Sequence, residues 1–304
     1  MNRATQEIAV PIEVPREEAE PSLTSDLMVL TKARLSLLVI ITTFVGFCMG
    51  SGAQFDWLLL IQAVGGTTLA AASAAVLNQY LESHVDRLME RTRHRPIPSG
   101  RIKPGVALAL GIAMGAVGVA WLALGVNLLS SALAAATIVI YIGIYTPMKR
   151  RTSFCTVVGA VSGAIPPMIG WVAARPSFNL GAWVLFGILF TWQMPHFLAI
   201  AWMYRDEYAQ AGFVMLRRDD LSGCATAMQS LLYTGGLILI SLIPFHAEMN
   251  SSIYLGGAML LDGVMLLFAV QFLIERERAS ARRLFFASIL YLPLILGLMI
   301  FTKL

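Results

Sequence analysis

Long apolar runs, separated by polar connections, repeat along the chain from residue 35 onward. Most runs last roughly 18–25 residues, the length that an α-helix needs to cross a bilayer. They lack the short alternating pattern of a membrane β-barrel, and only helices and closed barrels satisfy the backbone in lipid. The pattern therefore predicts an all-α integral membrane protein with nine transmembrane helices. We place the spans at residues 35–52, 57–82, 104–125, 127–147, 154–174, 181–203, 225–246, 251–274 and 284–302.

Composition and charge agree with this interpretation. Of the 304 residues, 57% are hydrophobic and 13% are charged, whereas a soluble domain carries about 25% charged residues. Of the 22 Lys and Arg, all but Arg175 and Lys303 lie on the same side of the predicted spans as the N-terminus. The positive-inside rule therefore predicts a cytoplasmic N-terminus and cytoplasmic basic loops. The net charge of +4 reflects this topology, so we expect membrane lipid and no nucleic acid as a partner.

The N-terminal segment differs from the rest of the chain. Residues 1–25 combine acidic side chains with prolines, a composition typical of disordered segments. We expect a disordered cytoplasmic tail at 1–25 and a transmembrane domain at 26–304. Mitochondrial transit peptides are rich in Arg and poor in acids. This tail is neither rich in arginine nor poor in acidic residues, and no signal peptide precedes the first span. We therefore expect the protein to lie in the inner membrane of a bacterium.

The second predicted span ends in three oxygen-bearing side chains spaced four residues apart, Asn78, Glu82 and Asp86, which we call the oxygen ladder. On an α-helix each step of four residues turns by about 40° and rises about 6 Å, so the three lie on one face. These ligands suit Mg²⁺, which usually takes one or two carboxylates together with water and substrate phosphate. The alternative is an ordinary solvated helix end. Against it, Asn78 lies inside an apolar run, where polar groups are expensive and usually functional.

Cations follow the oxygen ladder closely. Arg91 and Arg95 belong to a basic, proline-stiffened connection, and Lys149 and Arg150 follow the fourth span. These cations alone also fit a topology signal or an attraction to anionic lipid headgroups. Carboxylates for a metal beside cations for oxyanions describe a diphosphate site. We therefore predict such a site at the cytoplasmic ends of these spans.

A second polar group closes the sixth span, with His196 inside the apolar run and Asp206 just after it. His196 is either a hydrogen-bonded packing residue, a contact to a substrate or an iron ligand. We expect it to face a central cavity, because an unpartnered imidazole in lipid is costly and Pro195 can kink the helix. Asp206 either serves a second metal ion or pairs with a nearby arginine.

Several of these segments match the pattern of a known family. The stretch Asn78-x3-Glu82-x3-Asp86-x2-Met89-x-Arg91-Thr92-x2-Arg95-Pro96 resembles the first motif of the UbiA superfamily of intramembrane prenyltransferases, in the form of its heme O synthase branch. Similar blocks, within roughly residues 30–300, are Thr31-Lys32-Ala33-Arg34, Tyr145-Thr146-Pro147-Met148-Lys149-Arg150, Gly163 to Trp171, Trp192 to Phe197 and Asp206 to Leu216. Arg217 and Arg218 stand where the family tends to have proline, and we expect no catalytic consequence.

The resemblance implies a UbiA-type bundle around a central cavity, capped by two cytoplasmic loops. It implies that the farnesyl group of farnesyl diphosphate is transferred to a vinyl group of heme b, giving heme O for terminal oxidases, with Mg²⁺ as cofactor. Heme A synthase and the terminal oxidase assembly are then candidate partners. The implied catalytic residues are Asn78, Glu82, Asp86, Arg91, Arg95, Lys149 and Arg150. The implied substrate-binding residues are Lys32, Arg34, Tyr145, His196, Asp206 and Tyr208, and the implied metal ligands are Asn78, Glu82, Asp86 and Asp206.

Two other functions stay open from the sequence. One is a UbiA-type enzyme that prenylates an aromatic acid or a quinone precursor. The other is a transporter with a basic, phosphate-binding gate. The oxygen ladder followed by arginines argues against transport, which does not need metal-dependent ionisation.

Overall fold

The computed structural model describes residues 22–304, except for the side chains of Arg34 and Leu35. These residues form helices joined by turns and loops, with one isolated β-bridge between Asn250 and Lys303. The helices are α1 Leu23–Leu30, α2 Ala33–Gly50, α3 Trp57–Asp86, α4 Pro104–Gly125, α5 Leu128–Val139, α6 Thr146–Met148, α7 Cys155–Ala174, α8 Leu180–Met203, α9 Arg205–Gln210, α10 Cys224–Ser241, α11 Ile243–His246, α12 Ser252–Glu275 and α13 Arg278–Phe301. A π-helical segment, Ile140–Tyr145, joins α5 to α6.

The long apolar helices confirm an all-α membrane protein with several spans. In the described chain, 8 helices are long and apolar enough to cross a membrane, with α5–α6 and α10–α11 each taken as one span. The apolar part of α2, Ser36–Gly50, is shorter, so the count of nine stays a prediction. Most helix ends lie within two residues of the predicted boundaries. The exceptions are α3, which continues to Asp86, and α13, which already begins at Arg278.

The predicted N-terminal tail falls mostly outside the described residues. Helix α1 begins at Leu23, so the end of that segment is helical. The Ser22 hydroxyl caps α1 by accepting a hydrogen bond from the Ser25 backbone N–H, which is a common way to start a helix. The prediction of disorder for residues 1–21 concerns a segment that the structure does not describe.

Glycines bring α2 and α7 into close contact. A Cβ on Gly46 of α2 would lie 1.9 Å from the Pro167 carbonyl oxygen, and a Cβ on Gly170 of α7 would lie 1.9 Å from the Thr43 carbonyl oxygen. Small residues of this kind allow membrane helices to approach closely. Helix α7 also packs on α3, α5 and α8, which makes it the central helix of the bundle.

The remaining helices close the bundle around α7. Helix α3 packs on α4 and α4 packs on α5, which forms one half. In the other half, α8 packs on α10 and α13, and α12 packs on both α10 and α13. Helix α2 also contacts α8 and α13 and so joins the two halves.

Polar connections gather at one end of the bundle, which we call the loop face. It comprises α1 and the connections 87–103 and 204–223. The two connections meet, because the Arg91 guanidinium lies 6.0 Å from the centre of the Tyr204 ring. Of the Lys and Arg in the described chain, all but Arg175 and Lys303 lie at or near this end. This asymmetry is the one that the positive-inside rule associates with the cytoplasmic side.

A buried carboxyl group joins three helices of the second half. Asp262 of α12 accepts hydrogen bonds from the Ser241 hydroxyl of α10 at 2.5 Å and from the Tyr291 hydroxyl of α13 at 2.8 Å. The Tyr254 hydroxyl donates to the Ser241 carbonyl oxygen at 2.9 Å. Because a buried carboxyl group without partners is costly, these bonds stabilise the packing of α10, α12 and α13.

We predict that Tyr291→Phe destabilises the protein without disturbing ligand binding at low temperature. The change leaves one Asp262 oxygen without its donor, which typically costs about 1–3 kcal/mol. Thermal unfolding in detergent, followed by tryptophan fluorescence, measures the effect. Tyr80→Phe is the matched control, because Tyr80 is partly buried in a different hydrophobic cluster. Equal unfolding temperatures for the two variants would contradict a stabilising role for the Asp262 contacts.

Candidate active site

The oxygen ladder lies in the last two turns of α3, which extends one turn beyond its predicted end. Asn78, Glu82 and Asp86 are 0%, 8% and 2% exposed. They therefore lie inside the protein, and the alternative of a solvated helix end is excluded. Two carboxylates that lie buried about one helical turn apart require positively charged partners.

Each member of the oxygen ladder meets one cation, and each cation comes from a different segment. The Lys32 ammonium, between α1 and α2, donates to Asn78 Oδ1 at 3.0 Å. Lys149 Nζ, after α6, donates to Glu82 Oε1 at 2.8 Å. The Arg95 guanidinium donates to Asp86 Oδ2 at 2.8 Å. The oxygen ladder thus anchors three parts of the chain that are far apart in sequence.

A second row of side chains faces the oxygen ladder. Tyr141, Tyr145 and Lys149 are also spaced four residues apart, and the π-helical segment carries the two tyrosines. Their ring centres are 5.0 Å apart, and Lys149 Nζ lies 4.6 Å from the centre of the Tyr145 ring. Such π-helical turns often occur at functional sites. Here the wider turn brings both tyrosines to the face that Lys149 occupies.

Lys149 stays protonated despite its burial. Burial alone would lower the pKa of the Lys149 ammonium group, but the neighbouring Tyr145 hydroxyl and Glu82 carboxylate outweigh it and raise the pKa above its ordinary value. An ammonium group is therefore available beside the oxygen ladder at neutral pH.

The position of Lys32 depends on contacts that hold α1. Lys32 has a left-handed backbone with φ of 50°, which breaks the helix between α1 and α2. The fully buried Gln79 amide donates to the carbonyl oxygens of Val29 and Leu30, at 2.8 and 2.7 Å. The Asp26 carboxylate of α1 also accepts hydrogen bonds from the Arg101 guanidinium. Both contacts keep the end of α1 in place above the oxygen ladder.

These side chains enclose a cavity of about 320 Å³ at the loop face, which we call the polar cavity. Tyr208, Phe213 and Met215 of the second connection cover it, and Arg91 of the first connection lies on its wall. The Val214 backbone N–H donates to the Lys149 carbonyl oxygen at 2.6 Å. This bond holds the part of the second connection that covers the cavity, which we call the covering loop, against the segment that carries Lys149. The volume falls within the range of about 300–1,000 Å³ that is typical of small-molecule sites.

An apolar cavity of about 180 Å³, which we call the tunnel, lies beside the polar cavity inside the bundle. Lys32 and Tyr141 line both spaces, so the two are adjacent. Alanines and glycines dominate the tunnel wall, on which Gln193 also lies. The lining small residues are Ala70, Ala71, Ala74, Ala75, Ala134, Gly159 and Gly163. A charged pocket beside a narrow apolar channel fits a ligand with an anionic head and an apolar chain.

The oxygen ladder offers the ligand types that Mg²⁺ prefers. Hydrogen bonds within the described chain reach one oxygen of each carboxylate, which leaves Glu82 Oε2 and Asp86 Oδ1 for a ligand. In the same part of the chain, no group of three or more His, Cys, Asp or Glu side chains converges. The residues therefore fit an ion that keeps water and substrate phosphate among its ligands, as Mg²⁺ does.

Other residues predicted for the site lie at different places. Tyr145 and Tyr208 are on the wall of the polar cavity, whereas Arg150 is exposed and lies outside it. The Asp206 side chain is 80% exposed and points to Arg205 at 3.8 Å. It therefore does not join the oxygen ladder, and of the two interpretations of Asp206 this placement favours pairing with an arginine. The Arg34 side chain is not among those that the structure describes.

His196 does not face the cavity, contrary to our prediction. Its Nδ1 lies 2.7 Å from the Ser288 hydroxyl of α13. Its ring stacks against the rings of Trp192 and Phe285, with centroid distances of 5.2 and 4.9 Å. The alternative of a hydrogen-bonded packing residue therefore describes His196. A partner on α13 satisfies the imidazole, so burial in the bundle does not require a substrate contact.

The sequence-based predictions missed several residues of the site, among them Tyr141, Gln79 and Met215. Tyr141 has a signal, because it continues the four-residue spacing of Tyr145 and Lys149. Gln79 contributes to the site by holding α1, and Met215 reaches the cavity from the covering loop. Contacts between distant segments position Gln79 and Met215, so no local sequence pattern identifies these two residues.

The fold and the site together define the class of protein: a membrane-embedded helical bundle with a cation-rich cavity above an apolar tunnel. Residues 39–290 match the UbiA prenyltransferase family. The chain belongs to this family. A protoheme IX farnesyltransferase from Solibacter usitatus is 44% identical over 287 residues, covering 91% of this chain and 98% of the relative. A relative of the same name from Opitutus terrae is 42% identical over 283 residues, covering 92% of this chain and 95% of the relative.

Solved structures support the fold. A digeranylgeranylglyceryl phosphate synthase superposes with a TM-score of 0.79 at 15% identity, covering 92% of this chain and 98% of the other. A UbiA homolog from Archaeoglobus fulgidus, solved with GPP and Mg²⁺, superposes with a TM-score of 0.65 at 12% identity, covering 90% of this chain and 99% of the other. At these identities the likeness establishes the shared fold.

We predict that Gln79→Leu weakens binding of inorganic diphosphate in the presence of Mg²⁺. The change removes both hydrogen bonds to the end of α1, so Lys32 is held less firmly at the polar cavity. One lost bond is worth about 0.5–1.5 kcal/mol, which corresponds to an affinity loss of roughly two- to tenfold. Titration calorimetry of the purified protein measures it. Gln62→Leu, near the other end of α3, is the matched control, and equal affinities for both variants would contradict a positioning role.

Proposed function

We propose that this protein is a Mg²⁺-dependent prenyltransferase that transfers the farnesyl group of farnesyl diphosphate to a vinyl group of heme b, giving heme O and diphosphate. The position of the apolar tunnel directly beside the polar cavity carries this proposal. It matches an anionic diphosphate head joined to an apolar chain of fifteen carbons. The relatives named protoheme IX farnesyltransferase match this chain over nearly their whole length, which supports the choice of acceptor.

The cations of the polar cavity bind the diphosphate. Lys32, Lys149 and Arg95 already lie beside the oxygen ladder, and Arg91 faces the same space. The farnesyl chain extends into the tunnel, whose walls require little desolvation of an apolar ligand. Asn78, Glu82 and Asp86 would hold Mg²⁺, whose positive charge would make the diphosphate a better leaving group.

The reaction begins when the bond between C1 of the farnesyl group and the diphosphate oxygen breaks. The electron pair leaves with the diphosphate, and the lysine and arginine side chains stabilise the growing negative charge. The covered, apolar site keeps bulk water from the allylic cation. The vinyl π electrons then form a bond to C1. Water adds to the resulting cation and loses a proton, so the product carries a hydroxyl group.

The same proposal places the loop face in the cytoplasm of a bacterial cell, with the protein in the inner membrane. The basic side chains at the loop face support this orientation. Heme O serves terminal oxidases, so an enzyme that modifies heme further, heme A synthase, or the oxidase assembly would receive the product.

Mass analysis of hemes tests the proposed function directly. Purified protein in lipid nanodiscs is supplied with farnesyl diphosphate, heme b and Mg²⁺. We expect a heme whose mass has gained one farnesyl group and one hydroxyl group, together with release of diphosphate. Release of diphosphate only with an aromatic or quinone-precursor acceptor would indicate a different prenyltransferase. No release with any acceptor, but passage of substrate across a vesicle membrane, would indicate a transporter.

We predict that Asp86→Asn reduces heme O formation by about 100-fold or more, because removal of one group that stabilises transition-state charge typically costs 10²–10³-fold. The neutral amide is also a poorer ligand for a hard cation, so the Mg²⁺ concentration needed for half-maximal rate should rise. Initial rates over a Mg²⁺ series measure both effects. Glu90→Gln is the control, because the Glu90 carboxylate is 86% exposed and pairs with Arg93. Activity of Asp86→Asn within a fewfold of wild type would remove Asp86 from the metal site.

A further inference from the structure

A second cavity of about 500 Å³ opens sideways between α7, α8 and α10, next to the loop face. We call it the lateral groove. Met194 and Leu198 of α8 form a buried apolar wall, and the exposed side chains of Phe154 and Leu232 stand at its rim. In a membrane protein, a groove with this rim is accessible to a ligand that arrives from the bilayer.

The lateral groove carries an unsatisfied polar group. Thr156 of α7 is 3% exposed, and its hydroxyl oxygen has no hydrogen-bond partner in the described chain. A buried hydroxyl group without a partner is unfavourable unless a ligand or water completes it. Gln229 adds an amide to the opposite wall, on α10. The groove therefore offers polar contacts among mostly apolar surfaces, which is the pattern of a small-molecule site.

Positive charge lies at the end of the lateral groove that borders the loop face. Arg217 is on its wall and pairs with Asp219 at 2.7 Å, with both side chains more than half exposed. Such an exposed pair is weak and readily exchanged for another anion. Arg150 and Arg151, which are exposed, directly precede the groove residue Thr152. A ligand with carboxylates at one edge and an apolar body matches this distribution.

The lateral groove also adjoins the polar cavity. Met215 of the covering loop lines both. Its thioether side chain is flexible and tolerates several packing arrangements. Movement of this one side chain therefore connects the groove with the space that holds the diphosphate.

We propose that the lateral groove binds the acceptor of the reaction, an amphipathic porphyrin with two carboxylates, which is heme b under the function proposed above. The macrocycle packs on the apolar walls of α7, α8 and α10, and its carboxylates lie toward Arg151 and Arg217. The identity of the ligand rests on the proposed function, whereas the location rests on the groove itself. The tunnel, at about 180 Å³, is too small for a macrocycle, and under the proposed function the diphosphate takes the polar cavity.

A bulky side chain introduced on α7, which fills the lateral groove, tests whether the acceptor binds there. In the full-length protein in nanodiscs, Val157→Trp places a large ring on the groove wall. The added ring takes up space that the macrocycle needs, so heme b affinity, measured from the Soret band, should fall about tenfold or more. Affinity for farnesyl diphosphate with Mg²⁺ should stay within about twofold, which also shows that the variant is folded. Val158→Trp is the matched control, because Val158 is also half-buried and lines none of the cavities described above.

The outcomes separate the location from the function. Unchanged heme b affinity in Val157→Trp, or an equal loss in Val158→Trp, would overturn the groove as the acceptor site while heme O formation by wild type still stands. Failure of the wild-type protein to bind heme b would overturn both proposals. A phospholipid that stays in the groove and that heme b does not displace, seen by native mass spectrometry, would assign the groove to lipid and overturn this inference.

The carboxylate contacts have a test of their own. Wild type should bind heme b roughly two- to fivefold more tightly than its dimethyl ester, because exposed charge pairs contribute up to about 1 kcal/mol. The double variant Arg151→Gln, Arg217→Gln should lose most of that difference and bind the ester as wild type does. An unchanged ratio in the double variant would overturn the placement of the carboxylates.

Discussion

Two carboxylates buried at one end of a membrane bundle are stable only when opposite charges meet them. Glu82 and Asp86 satisfy this condition through Lys149 and Arg95, and Asn78 adds a contact to Lys32. Removal of one partner from such a pair typically costs about 3–5 kcal/mol. The oxygen ladder therefore determines where α1, the first connection and the segment that carries Lys149 lie. In the proposed reaction the same cations would bind phosphate oxygens, and the carboxylates would hold the divalent ion.

The contrast between the polar cavity and the tunnel follows from side-chain size as much as from polarity. Close contact of α2 with α7 at Gly46 and Gly170 fixes the centre of the bundle. Alanines on α3 then leave a narrow channel, because nothing larger fills the space between α3 and α7. At the loop face long cationic and aromatic side chains line the larger polar cavity. One bundle thus provides a charged compartment and an apolar one without a second domain.

Helices and the oxygen ladder are predictable from the sequence because lipid and helical periodicity act locally. Apolar length determines the spans, and a spacing of four residues places Asn78, Glu82 and Asp86 on one face. The rotation of an apolar helix is different, since α8 is apolar on all sides and carries no pattern that identifies its inner face. The orientation of His196 toward Ser288 therefore could not be predicted. The bonds from Gln79 to α1 and the position of Asp206 likewise depend on contacts between distant segments.

Helices α7 and α8 form a wall shared by two compartments, the tunnel and the lateral groove. Gly163 and Gln193 face the tunnel, while Thr156 and Met194 face the lateral groove, so each helix serves the donor chain on one side and the proposed acceptor on the other. In the proposed reaction the two large apolar substrates would thereby be kept apart over most of their length. Met215 of the covering loop borders both the lateral groove and the polar cavity, so the substrates would meet near the loop face. The diphosphate would be bound at that same end, which would place bond cleavage and acceptor access together where water must be excluded.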